Sequence, residues 1–285
     1  MEKYYEIAGI PICISADGEI MYSDDRELAP FRAGENAAAV KYSFAAVPSL
    51  AVPSGKREVY RAPDLAVFHD GTGEFRYTGA VSNRPENGYM MAHYTSGGVS
   101  VALNGEKISH ITVRCALNAL AMEHLAVSNG GVILHCAYII YNGRSILFTA
   151  PSGGGKSTQA ELWREQLGAE IINCDRAIIV PGSEASVAYS LPYAGSSGIC
   201  RNETAPLTAI VYLEKAEHNR TSRLYGRRAF RRVWEGCCVN TWDRRDVEMA
   251  ADAVTGVLKN TPVFLLECTP EKPAVEALLK TLEGI

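Results

Sequence analysis

The stretch "RSILFTA", followed at once by "PSGGGKSTQAELW", constrains this chain more than any other. An apolar run ends at Ala150, a glycine-rich loop follows, and a helical pattern opens at Ser157. A strand that hands over to a helix through such a loop belongs to an α/β layer. The Walker A pattern asks for Gly, four residues, then Gly-Lys-Ser/Thr. Gly155, Lys156 and Ser157 fit, and Ala150 stands where the first glycine is expected. At the strand end that change is a single methyl. Gly153, Gly154 and Gly155 let the backbone take positive φ and turn its N–H groups inward. The helix adds the positive end of its dipole. Lys156 can reach the β- and γ-phosphates of a nucleotide, and the Ser157 hydroxyl can bind Mg²⁺. Ser152 to Thr158 are therefore the candidate phosphate cradle. The bland alternative, a glycine-rich turn before a helix, does not call for strand, loop, Gly-Lys-Ser-Thr and helix in that order.

The loop by itself does not name a reaction. A carboxylate completing the Mg²⁺ site discriminates better, and Asp175 stands at the end of "EIINCD", one helix and one turn downstream of Lys156. That short gap predicts that the strands before and after the helix are adjacent in the sheet. The long insertion and acidic pair typical of transport ATPases are absent, as is an Asn-Lys-x-Asp guanine reader. The alternative for Asp175 is a solvent-facing turn residue.

The rest of the chain organises around this element. Residues 1–108 read as an antiparallel β-rich domain, with hairpins at Asp70-Gly71-Thr72-Gly73 and Ser96-Gly97-Gly98. From Ser109, the recurrence of Val113, Leu117, Leu120, Ala121 and Leu125 predicts a helix stopped by Asn129-Gly130-Gly131. Strands "GVILHCAYII" and "RSILFTA" flank the turn Asn142-Gly143, and "LTAIVYLE" and "PVFLLEC" are further strands. Apolar stripes Val247, Ala250, Val254, Leu258 and Val275, Leu278, Leu279, Leu282 mark two late helices. The expected architecture is α/β, α+β overall: a β-rich domain, 1–108, then a P-loop α/β domain, 109–285. A net charge of −4 provides no global basic field, so neither nucleic acid nor an anionic membrane is an expected partner. No apolar run is long enough to span a bilayer. The start does not read as a signal peptide, and the eight cysteines are scattered without CxxC pairs, so a reducing cytoplasm is expected.

"LHCAYIIYNGRSILFTAPSGGGKSTQAELW" followed by "AEIINCDRAII" resembles the C-terminal catalytic domain of HPr kinase/phosphorylase, within the superfamily that includes ATP-dependent phosphoenolpyruvate carboxykinases. The resemblance covers about residues 131–180 well and "AGSSGICRNETAPLTAIVYLE" more loosely. Residues 1–105 do not resemble the sensory domain of true HPr kinases. The resemblance implies ATP, or another nucleoside triphosphate, and Mg²⁺ as cofactors, with Ser152 to Thr158 around the phosphates, and Asp175 with Ser157 at the Mg²⁺. It also implies that His135 stands near the phosphate site, where residue type alone reads as a hydrogen-bonded core histidine. Lys156, Asp175 and His135 are thus the candidate catalytic residues. Where the family carries two consecutive aspartates, this chain has Cys174-Asp175. Either Asp175 both holds metal and takes the acceptor's proton, or His135 or Glu203 contributes, or phosphoryl transfer has lapsed.

Two further features fit an acceptor site or a plain structural role. Arg220 to Trp234 holds six arginines, with Arg227/Arg231 and Arg228/Arg232 on one helical face and Phe230, Val233 and Trp234 on the other. The polar loop Gly195 to Gly198 precedes Arg201 and Asn202. The expectation is a Mg-nucleotide-dependent kinase acting on a peptide, protein or small-molecule hydroxyl. The rival is a nucleotide-binding regulatory protein without transfer. True HPr kinases are hexamers, and a homo-oligomer stays open here.

Overall fold

The structure is a computed structural model that describes residues 2–16, 26–52, 55–79, 81, 84–110 and 117–284. The chain divides into two compact units, Met1–Met122 and Glu123–Ile285. Among the described residues it is an α+β protein with two mixed sheets and five α-helices.

The first unit carries β1 (Glu2–Ile7), β2 (Ile10–Ala16), β3 (Val40–Val47), β4 (Arg57–Arg61), β5 (Leu65–His69), β6 (Glu74–Thr78), β7 (Met90–Thr95) and β8 (Gly98–Asn104). They form one sheet in the order β1-β2-β3-β8-β7-β6-β5-β4. Both expected hairpins are present. At the β5–β6 turn, Asp70 Oδ1 accepts the Thr72 and Gly73 backbone N–H groups at 2.9 and 3.0 Å, an Asx turn that holds the strands in register. The sheet is not antiparallel throughout, as the sequence reading expected: β2 pairs β3, and β3 pairs β8, in parallel. The reason lies in the connections. Parallel neighbours need a long crossover. Residues 17–39 separate β2 from β3, and the whole β4–β7 meander is inserted between β3 and β8.

The helix expected from Ser109 is also broken up. Gly105–His110 and Asn118–Leu120 are 3₁₀ turns, and Val113 lies outside the described residues. Ala121 takes φ +50°, a left-handed conformation that interrupts the chain before α1 (Met122–Ser128).

The second unit continues with β9 (Val132–Tyr141), β10 (Arg144–Thr149), α2 (Lys156–Leu167), β11 (Glu170–Asn173), β12 (Arg176–Val180), β13 (Val187–Ser190), β14 (Thr204–Lys215), β15 (Arg220–Leu224), α3 (Gly226–Trp234), β16 (Cys237–Cys238), α4 (Arg244–Asn260), β17 (Val263–Cys268) and α5 (Lys272–Leu282). The main path is β10-β9-β12-β13-β14-β17-β15, with β11 and β16 also on β9 and β10 also parallel to β14. At the β9–β10 turn, Asn142 and Gly143 both have positive φ, 51° and 72°, as a two-residue hairpin of matching twist requires. The strands before and after α2 are not neighbours. β10 has one edge on β9 and the other on β14, so β11 is displaced to the far side of β9.

Each face of this sheet has its own core. Phe148, Trp163, Val211, Phe264 and Leu278 pack under α2 and α5. Leu134, Tyr138, Ile210, Val254 and Val263 pack with α3 and α4 on the opposite face, where Phe230 and Trp234 cover them. No helix among the described residues is long and apolar enough to cross a membrane. Trp163 is fully buried against Tyr141, ring centroids 5.4 Å apart, and Phe148 at 6.1 Å. Trp163→Ala is expected to cost about 3–5 kcal/mol, measured by urea denaturation, because it opens a large cavity beneath α2.

Candidate phosphate-binding site

The loop after β10 takes its shape from its glycines. Gly153 and Gly155 have φ of +73° and +95°, which an L side chain rarely adopts. Gly154 is needed for space: a Cβ there would lie 2.5 Å from the Ala150 Cβ and 2.9 Å from the Pro151 carbonyl oxygen. The Gly154 N–H donates to that same carbonyl at 3.0 Å. Ala150 is thus accommodated because the residue passing over it is a glycine. Gly155 is the N-cap of α2, no side chain caps the helix, and its first turn carries no acidic residue. The open N–H groups and the helix dipole therefore leave this end suited to an anion.

Lys156 is buried, at 7% exposure, and its ammonium donates to the carbonyl oxygens of Ala150 at 3.0 Å and Pro151 at 3.3 Å. Burial lowers its pKa, and Asp175 opposes that shift. Ser152, Ser157 and Thr158 are exposed around the cradle.

Opposite the loop, β9 brings the other residues in. His135 is the register partner of Arg176, and the Asp175 carbonyl accepts the Cys136 N–H at 3.1 Å. Asp175 does not end a strand. It lies with Cys174 in a bend between β11 and β12, both of which run antiparallel to β9. Asn173 shapes this bend. Buried at the end of β11, it accepts the Asp175 and Arg176 N–H groups on Oδ1, at 2.7 and 3.0 Å, and donates Nδ2 to the Leu191 carbonyl at 2.8 Å. The Asp175 carboxylate pairs with Arg176 at 3.2 Å. Arg176 also reaches Glu123 of α1 at 3.1 Å and lies over the Tyr193 ring, 4.9 Å from its centroid. Gly195 closes the other side: a Cβ there would stand 3.2 Å from the Asp175 Cβ.

Burial lowers the His135 pKa, the Lys156 charge lowers it further, and Asp175 acts in the opposite sense. His135 therefore stays neutral to a lower pH than an ordinary imidazole. Burial raises the Cys174 thiol, with hydrogen bonds to Ser197 and Ser157 working against that shift. Cys174 is then a neutral thiol beside the hydroxyl of the candidate Mg²⁺ ligand.

The charges of Lys156 and Asp175 both act on His135, Asp175 also acts on Lys156, and Ser157 is within hydrogen-bond reach of Cys174. Glu203 stands elsewhere, beside Tyr138, whose phenol its charge helps to raise. Sequence reasoning missed Arg176, Tyr193 and the role of Asn173. Arg176 directly follows Asp175, and a polar Asn between an apolar strand and an acidic turn is a readable Asx signal. Tyr193 carried no local signal. The α3 arginines face outward: Arg231 pairs with Glu235, and Arg232 pairs with Glu214 and Glu235 over the Tyr212 ring.

Among the described residues no three His, Cys, Asp or Glu side chains form a metal cage. Mg²⁺ carried by a nucleotide does not need one: phosphates, waters and one or two protein ligands suffice. Ser157 and Asp175 fit that requirement.

No protein-family model matches the chain, and a search of the curated proteins finds no match. Among solved structures it is similar to the HPr(Ser) kinase/phosphatase from Coxiella burnetii, at 11% identity over 53% of this chain and 95% of that one, with a TM-score of 0.31. At that score the likeness carries nothing about function.

Two outcomes test the geometry. Gly154→Ala is expected to abolish nucleotide binding by calorimetry, and adding Ala150→Gly to restore it in part, since the Pro151 contact persists. The His135 ring, followed by NMR, is expected to titrate below the ordinary 6.5. Its midpoint should rise in Lys156→Ala, which removes a repelling cation, and fall further in Asp175→Asn, which removes an attracting anion.

Proposed function

We propose that the chain is a Mg-nucleotide-dependent kinase that transfers the γ-phosphoryl of ATP to a hydroxyl, with a peptide or protein serine or threonine as the first acceptor class and a small-molecule hydroxyl as the second. The observation that carries this reading is the meeting of an uncapped, glycine-shaped helix N-terminus with a buried lysine and, across β9, the Asp175 carboxylate. Ser157 and Asp175 would hold Mg²⁺, which when bound neutralises phosphate charge.

The proton of the acceptor hydroxyl needs a destination as the new O–P bond forms and the β–γ bridging oxygen leaves with ADP. Cys174 is unsuited, because burial keeps its thiol protonated. His135 is a poor sink as well, since burial and Lys156 both disfavour the imidazolium. Of the groups weighed, Asp175 remains. It orients the hydroxyl and takes its proton, while Lys156 and the loop amides stabilise charge on the transferring group.

The second reading, a nucleotide-binding regulator without transfer, is favoured by one observation: the neutral Cys174 thiol stands where the resemblance implies a second aspartate. Intact-mass measurement separates the two. With Mg-ATP and peptide or small-molecule fractions of the host cell, the kinase reading expects a phosphoryl mass gain in one fraction. That gain should be lost in Lys156→Ala and slowed about 10²–10⁴-fold in Asp175→Asn. Tight Mg-ATP binding without transfer to any fraction would establish the regulator instead.

A further inference from the structure

A pocket of about 230 Å³ opens beside the loop, with Gly154 and Gly155 in its wall. Thr158 and Gln159 on α2, Leu213 and Ala216 at the end of β14, and Cys268 and Pro270 at the end of β17 line it. Its residues are distinct from those around His135 and Asp175. Consecutive residues of α2 divide the two spaces: Ser157 faces Cys174, whereas Thr158 and Gln159 face the strand ends. The walls are braced. The Ala216 N–H donates to the Cys268 carbonyl at 3.1 Å, and the Thr269 N–H donates to Asn219 Oδ1 at 3.0 Å.

The volume is below the roughly 300–1,000 Å³ of a site that holds a whole drug-sized ligand. It suits one flat ring system attached to something bound outside the pocket. A chain of phosphates lying over the loop, with its terminal end toward Asp175, would leave its nucleoside end on this side.

Gln159 supplies the second observation. It is only 2% exposed, its Nε2 reaches the Cys268 sulfur at 3.5 Å, and its Oε1 is buried without a hydrogen-bond partner. A buried amide oxygen without a donor costs free energy until one is provided. Its neighbours in the pocket are the apolar Leu213, Ala216 and Pro270 together with the polar Thr158, Lys215 and Thr269.

We propose that this pocket receives the base of the nucleotide and that Gln159 selects adenine, its Oε1 accepting from the exocyclic amine and its Nε2 donating to a ring nitrogen. A glutamine amide matches adenine's paired donor and acceptor, whereas guanine presents two acceptors along the same edge. The inference rests on the phosphate-loop reading and adds where the base of that ligand binds and which side chain selects it.

The test compares Mg-ATP, Mg-GTP and Mg-tripolyphosphate binding by calorimetry in the wild type, Gln159→Leu and Lys156→Ala. Gln159→Leu removes the orphaned oxygen at similar volume, and thermal melting checks that it folds. The expected result is a wild-type preference for ATP over GTP of about tenfold to a hundredfold, which falls to near parity in Gln159→Leu. Tripolyphosphate, which has no base, should bind both proteins alike. Wild-type parity between ATP and GTP, or a preference that survives in Gln159→Leu, overturns the base assignment and leaves the phosphate reading standing. Loss of all three ligands from the wild type, with Lys156→Ala no different, overturns both. Ala216→Trp gives an independent check: filling the pocket should weaken ATP but spare tripolyphosphate, and an unchanged ATP affinity would place the base elsewhere.

Discussion

The candidate site depends on the hydrogen bonding of one strand, β9, along both of its edges. One edge holds β10, whose end launches the glycine-rich loop, and the other holds β11 and β12, whose shared bend presents Asp175. Backbone hydrogen bonds in a sheet interior are obligatory, so the spacing across β9 fixes the distance between loop and carboxylate. The bend has its own lock. Asn173 pairs two N–H groups and a carbonyl that would otherwise be orphaned where the ladder breaks.

That framework places one cation, Lys156, in a partly desolvated space without a direct carboxylate partner among its hydrogen bonds, which go to two loop carbonyls. Carbonyl oxygens satisfy an ammonium geometrically but leave its charge uncompensated. An incoming phosphate is the natural counter-charge. The Asp175 carboxylate, in contrast, is already paired with Arg176. The fold therefore keeps Lys156, on the loop side, separate from the paired Asp175–Arg176–Glu123 chain across β9. Cys174, next to Asp175 in the chain, stays a neutral thiol because it is buried.

Much of this was legible in the residues. The strand, loop and helix around Gly153–Lys156 follow from a local pattern, as do the hairpins at Asp70–Gly73, Ser96–Gly98 and Asn142-Gly143, where turn chemistry and strand periodicity agree. Of the helix expected from Ser109, the end survives as α1, and among the described residues it is interrupted at Ala121 by a left-handed conformation that no residue-type signal announces. The antiparallel reading of the first sheet failed because hairpins reveal only sequence-local pairings, and β3 takes its neighbours from distant parts of the chain. The adjacency expected for β10 and β11 failed for a related reason: β14, far downstream, occupies the edge of β10 that β11 would need.

By itself, the sequence determined what lies within one turn or one hairpin: the glycine-shaped loop, the uncapped start of α2, and the Cys174-Asp175 step that follows β11. These depend on φ preferences and side-chain chemistry over a few neighbouring residues. Only the tertiary structure decided which residues meet across β9, that Ala150 and Gly154 form one steric pair, that Arg176 engages Asp175, and that Gln159 closes a pocket with the ends of β14 and β17. Those outcomes depend on strand pairing between distant segments. Because each sheet edge accepts only one partner at a time, such pairing is settled by competition over the whole chain.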